Sequence, residues 1–371
     1  MYPIELTFLI FPALCLFLAM IKAKKNRATF AFVFIAFFFL YILSLNGADI
    51  IGYRDIYRLI ASPSTFNEAH GEIGFKLLMW VCTKLKISYL AFRIILLTVT
   101  NFVLFYTLYK ISPNYTLSLF FLTTMFVIYT ISTYRQFMVM SFAFRILYKH
   151  SQKSIPMAFI ALALLSFIHI SALALLAALI VYSLRRGVAY KALKLSKCVI
   201  IWILVALFLR YMLIFVMRID PIKAILSTLT RGYTDESIAL FPIGLLSRVV
   251  FLLGISIIYR FRKPKDKLTV MLFYLYFLGM LLYTAVPFEG LMGRLMNNFN
   301  ILGIALVPML YRYERVVEPA SARLLSAREK TCSNIIVIVL VFVAIAVLIN
   351  QLLNQSGYWP YLNILFGDKL S

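Results

Sequence analysis

Two short clusters in an otherwise apolar chain carry the residue types that handle anions and protons. One is Tyr134-Arg135-Gln136, the other His169 with Ser171. Between them run two apolar segments joined by a short basic loop, Lys149 to Lys153. If both segments cross a bilayer, Arg135 at the head of the first and His169 at the foot of the second emerge at one face. A planar guanidinium donates to phosphate-type oxygens in pairs. An imidazole is a natural general base near neutral pH. Together they read as a site for an anionic, lipid-linked substrate. The plainer readings are an arginine snorkelling to the interface and a histidine that only satisfies a helix hydrogen bond. An arginine set in apolar sequence costs ~2.5 kcal/mol or more to insert, which argues for a cavity and a partner.

Further candidates lie outside these clusters. The polar stretch 47–72 holds Asp49, Tyr53, Arg54, Asp55, Tyr57 and Glu72. Its carboxylates can bond sugar hydroxyls or take a proton, and its tyrosines can stack on sugar rings. A solvated loop with local ion pairs is the bland alternative. Arg93, Arg210, Arg248 and Arg294 also interrupt apolar runs. Arg294 follows Pro287–Gly293, a stretch that reads as irregular backbone lining a cavity. The four cysteines, Cys15, Cys82, Cys198 and Cys332, are far apart and lack metal-ligand spacing, so neither a metal site nor a disulfide framework is expected. No Walker loop, HExxH, GxSxG or DxD is present.

The elements that must position these residues are membrane helices. Hydrophobic residues make up 63% of the chain and charged residues 14%, against about one quarter charged in soluble domains. Apolar runs recur from end to end, and their backbone polar groups must be satisfied within each segment, so the spans are helices. The reading is an all-α polytopic membrane protein, one integral-membrane domain over 1–371. Twelve spans are expected, near 4–21, 28–46, 88–109, 115–132, 135–148, 155–169, 171–184, 198–217, 241–260, 268–286, 294–311 and 333–350. The segment 73–86 reads as a short interfacial or re-entrant helix, and 355–371 as an aromatic belt segment.

Orientation follows from charge. Inner loops at 22–27, 110–114, 145–153, 185–197, 260–267 and 312–330 carry 23 of the 37 Lys and Arg, as the positive-inside rule asks. Both termini then lie outside. The outer stretches 47–72, 218–240 and 287–294 are expected to form the active-site cavity. The first run lacks a preceding basic residue and reads as a retained span. The net charge of +23 is spread over short loops, which argues against nucleic acid as a partner.

The motifs also resemble a known family. Tyr134-Arg135-Gln136 opening a span, a Lys-rich loop, then His169-x-Ser171-Ala172-Leu173 is similar to the EpsG-like, Wzy-type polymerases of exopolysaccharide and O-antigen. Asp49 before Tyr53 and Tyr57, then Glu72-x-Gly74-Phe75, agrees. The resemblance covers roughly 40–185, and the C-terminal half is similar mainly in hydropathy and in Arg294. The family typically shows His-Pro-Ser, and here Ile170 stands in the middle position.

The resemblance implies transfer of a growing chain from undecaprenyl pyrophosphate to the next lipid-linked oligosaccharide. This would occur at the periplasmic face of a bacterial inner membrane, with the bilayer and a chain-length regulator protein as partners and no cofactor. The leaving group is already activated, so arginines can neutralise its charge without a metal. On this reading Arg135 and Arg294 hold the pyrophosphate, assisted by Arg248, Gln136, Tyr53 and Arg54. The base is His169, Asp49, Asp55 or Glu72. A flippase for the same lipid-linked sugar, a membrane acyltransferase and the ligase that transfers finished polymer are the competing readings. The clustering of in-membrane charge near the outer face favours an outer-face enzyme over a flippase.

Overall fold

The computed structural model describes residues 7–43, 50–62, 64–131, 133–151, 155–184, 188–216, 219, 243–287, 289–311 and 327–354. Among these the secondary structure is helical throughout, with no strand. Asp49, nearly all of 218–240, and 355–371 lie outside the described residues, as does the side chain of Arg294. Among the described residues five helices are long and apolar enough to cross a membrane: Tyr89–Ile111, Val199–Val216, Gly244–Arg262, Lys267–Ala285 and Glu329–Gln351. Shorter apolar helices fall within other expected spans, at Phe8–Met20, Arg27–Ile42, Tyr115–Phe126, Pro156–Ser166, Ala172–Ser183 and Leu295–Tyr311. The described chain forms two compact units.

The first unit comprises Met1–Lys149, Ile160–Ala172 and Ile345–Ser371. It contains α1 (Thr7–Met20), α2 (Arg27–Phe37) continuing into a π turn (Phe38–Ile42), α3 (Ile50–Ala61) and α4 (Ile73–Lys84). It also contains α5 (Tyr89–Ile111), α6 (Tyr115–Ile131), most of α7 (Tyr134–Ser151) and the end of α8 (Ile155–Ser166). α1 packs along α6, α5 along α6, and α3 along α4.

One buried bond illustrates how the unit closes. Pro12 inside α1 has no N–H, so Phe8, four residues earlier, loses its helical donor. The Tyr41 hydroxyl replaces it, donating to the Phe8 carbonyl at 2.7 Å. Tyr41 is held there by Phe37, stacked at 5.0 Å, and by Phe8 and Phe11 edge-on at 5.4 and 5.7 Å.

Three stretches read as loops are helical. α3 lies inside 47–72. Ile50, Tyr53, Tyr57 and Ile60 are buried while Asp55 and Arg58 are exposed. Spacings of three and four residues put those four side chains on one face. The mixed charges hid this period. The basic stretch 185–197 contains α10 (Val188–Lys197). Residues 289–293, read as irregular backbone, belong to the first turns of α14 (Glu289–Tyr311). The segment 73–86 is helical as expected, over Ile73–Lys84.

The second unit comprises His150–Phe159 and Leu173–Ala344. It contains most of α9 (Ala172–Ser183), then α10, α11 (Val199–Val216), α12 (Ile243–Arg262), α13 (Lys267–Ala285), α14 and the first part of α15 (Ala327–Asn354). α13 is its core: every residue from Thr269 to Phe277 is buried. It packs against α14, α11, α12 and α10, which is why its sequence is apolar all round. Asp266 caps it by accepting from the Thr269 N–H at 2.8 Å. By contrast α11 leaves Ile200, Leu204, Phe208 and Phe215 exposed, a surface suited to lipid.

Candidate functional site

The site is built in the first unit around the start of α7. Arg135 sits in the first turn of that helix. Its Nη1 donates to Glu72 Oε2 at 2.6 Å, and its Nε donates to the Tyr53 hydroxyl at 3.4 Å. The guanidinium carbon also lies 5.7 Å from the centre of the Tyr53 ring. Nη2 has no hydrogen-bond partner among the described residues. Both members of the ion pair keep 24% of their side-chain surface exposed. That exposure leaves the pair within reach of a ligand.

Glu72 stands just before α4, at its N-cap position. Gly71 precedes it with φ +126°, a left-handed backbone that favours glycine. A Cβ at Gly71 would stand 2.8 Å from Arg135 Nη1, so glycine also gives the guanidinium its room. The preceding turn is tied down by Lys76, whose Nζ donates to the carbonyls of Phe66 and Ala69, both at 3.2 Å.

The third component is the turn between α8 and α9. The Ile170 N–H donates to Glu72 Oε1 at 3.3 Å. The Gly74 N–H donates to the Phe167 carbonyl at 2.8 Å, an approach so close that a Cβ on Gly74 would meet that oxygen at 2.7 Å. Within the turn, His169 Nδ1 accepts from the Ser171 N–H at 3.1 Å and lies 2.9 Å from Ser171 Oγ. Accepting a backbone N–H places the proton of a neutral imidazole on Nε2. In this arrangement His169 helps set the start of α9, whose first N–H, that of Ala172, donates to the His169 carbonyl.

Behind Arg135 lies a second, fully buried arginine. Arg93 on α5 donates from Nε to the Tyr134 hydroxyl at 2.8 Å and from Nη1 to the Ile42 carbonyl at 3.0 Å. That carbonyl ends the π turn, where the helical pattern stops. Tyr134 in turn stacks on Tyr53, with ring centres 4.5 Å apart and planes at 20°. Two guanidinium groups thus flank a stacked tyrosine pair: Arg93 holds Tyr134, and Tyr53 holds Arg135. The sequence reading gave Arg93 little weight and assigned no role to Tyr134 beyond the motif. An arginine one turn inside an apolar span was the available signal, since burying one requires acceptors.

The structure therefore brings together Arg135, Glu72, Tyr53 and the His169–Ser171 turn. Gln136 is buried beside Arg135 in sequence, on α7. Arg54 is half-buried on α3 next to Tyr53. Asp55 is on the exposed face of α3, 3.9 Å from Arg58 in a solvated pair, and such pairs contribute little. Arg248 belongs to the second unit, where its guanidinium lies 3.9 Å from the centre of the Tyr283 ring. Arg210, also in that unit, is fully buried and donates to the Val286 carbonyl at 3.1 Å. Among the described residues no group of three or more His, Cys, Asp or Glu is placed to hold a metal ion.

The site thus joins a partly exposed arginine, an acid and two tyrosines within a chain rich in apolar helices. No curated protein and no solved structure matches the chain. The family model of the EpsG family matches residues 27–363, well beyond the 40–185 that the motifs alone cover. With that match spanning nearly its whole length, the chain belongs to the EpsG family.

Proposed function

We propose that the protein is a polysaccharide polymerase that joins oligosaccharide repeat units carried on undecaprenyl pyrophosphate, at the periplasmic face of a bacterial inner membrane. The observation that carries this reading is Arg135. It is charged, oriented by Tyr53 and Glu72, partly exposed, and has one nitrogen without a partner among the described residues. Membership of the EpsG family supports the substrate class.

In the proposed reaction a hydroxyl oxygen of the acceptor sugar attacks the anomeric carbon of the donor chain. The bond from that carbon to the pyrophosphate oxygen breaks, and the hydroxyl proton passes to a base. The lipid pyrophosphate leaves as an anion, so its charge grows in the transition state. Arg135 neutralises that charge. A fixed guanidinium acts here because its orientation is set in advance. Asp49, Asp55, Glu72 and His169 are the proposed bases.

The test is chain extension by purified protein in nanodiscs supplied with lipid-linked repeat units. Arg135→Ala is expected to lower extension by about 10²–10³, as loss of one transition-state donor does. Arg135→Lys keeps charge but loses the paired donors and is expected to fall in between. Normal extension by Arg135→Ala at normal protein level would remove the pyrophosphate role.

A further inference from the structure

We infer that Glu72 is an internal stand-in for the substrate anion. In the free protein its carboxylate fills a cradle made by the Arg135 guanidinium and the Ile170 N–H, and pyrophosphate oxygens displace it on binding. This rests on the proposed pyrophosphate role of Arg135 and adds a second donor and a built-in competitor to it.

Three observations carry it. First, Glu72 occupies the N-cap position of α4 with extended backbone, yet its side chain makes no cap bond to that helix. An acid so placed ordinarily serves its own helix end. Here it reaches instead to Arg135 and to Ile170, which are brought by two other elements. Second, each carboxylate oxygen takes one donor, a guanidinium N–H at 2.6 Å and a backbone N–H at 3.3 Å. A guanidinium N–H together with a backbone N–H is a donor set that phosphate oxygens use. Third, the occupant can leave. Both side chains are partly exposed, and the glutamate is a flexible arm on a chain whose backbone is fixed separately. Gly71, Lys76 and the Gly74–Phe167 bond hold the backbone without the carboxylate.

A competitor tethered inside the site lowers the apparent affinity for the incoming anion. Removing its charge therefore strengthens anion binding, whereas removing a general base would leave binding unchanged and removing a structural clamp would weaken it. The experiment is equilibrium binding of radiolabelled inorganic pyrophosphate to the full chain in nanodiscs. Glu72→Gln is expected to bind about tenfold tighter than the unaltered protein, or ~1.4 kcal/mol. Glu72→Ala, which also deletes the hydrogen-bonding group, is expected to shift in the same direction. Ile170→Pro lacks the N–H and is expected to bind more weakly in the Glu72→Gln background. Arg135→Ala is expected to abolish binding in either background. If Arg135→Ala abolishes binding but neither Glu72 variant tightens it, the stand-in role is overturned and the Arg135 site survives. If Arg135→Ala binds as the unaltered protein does, or no form binds, both readings fall.

Discussion

Tyr134→Phe isolates the link between the buried and the exposed arginine. The substitution keeps the ring, and with it the 4.5 Å stack on Tyr53. It deletes the hydroxyl that accepts from Arg93 Nε at 2.8 Å. Both residues are almost wholly buried, so water does not replace the lost acceptor. A hydrogen bond to a charged group contributes about 1.5–3 kcal/mol, whereas an exposed Tyr→Phe change stays within about 0.5 kcal/mol. At about 2–4 °C per kcal/mol, the apparent Tm should drop by roughly 3–12 °C. The assay is thermal unfolding in nanodiscs by intrinsic fluorescence, at matched scan rates because such unfolding is often irreversible. Arg93→Met supplies the cycle. It removes the bonds to Tyr134 and Ile42 but also removes the cost of burying a guanidinium away from water. The double variant is therefore expected to be no less stable than Tyr134→Phe alone. A Tm for Tyr134→Phe within about 1 °C of the unaltered protein, or strictly additive effects, would refute the coupling.

Gly71→Ala meets two obstacles, the left-handed φ of +126° and a Cβ 2.8 Å from Arg135 Nη1. It should cost about 1–3 kcal/mol and reduce chain extension, and Gly52→Ala, whose Cβ meets nothing within 4 Å, serves as the neutral control. Tyr57 is buried and donates to the Ile87 carbonyl at 2.7 Å; burial first, then Cys82, pushes its phenol up to about 12 from 10.0. A raised folded value means its contribution is complete below pH 10 and lost as pH climbs towards 12, so Tyr57→Phe should flatten that alkaline loss in thermal melts. Reporter fusions placed after residues 112 and 264 should report the cytoplasmic side, and one after residue 67 the opposite side. The reverse pattern would invert the proposed orientation.

Some features of the site were legible before any coordinate. Arg135 and Gln136 at the head of one helix, and His169 and Ser171 at the foot of the next, follow from where apolar runs begin and end. The helical class follows as surely, because a chain this apolar has to satisfy its own backbone in lipid. α3 was legible in principle, since Ile50, Tyr53, Tyr57 and Ile60 are spaced for one face, but Arg54, Asp55 and Arg58 among them masked the period. The conformation of Gly71 was not legible, because positive φ is imposed by what surrounds the residue.

The pairings are what only the tertiary structure decided. Arg135 and Glu72 are 63 residues apart, and Glu72 and Ile170 are 98 apart. Nothing local distinguishes Glu72 from Asp55 as the acid that will meet the arginine. The choice depends on how α3, α4 and α7 are rotated about their axes and how far each rises. That register comes from packing among side chains distant in sequence, such as Tyr53 on Tyr134. The chain encodes each helix through a period of 3.6 residues that its own neighbours supply. Which faces then meet is settled only when the helices compete for one another's surfaces.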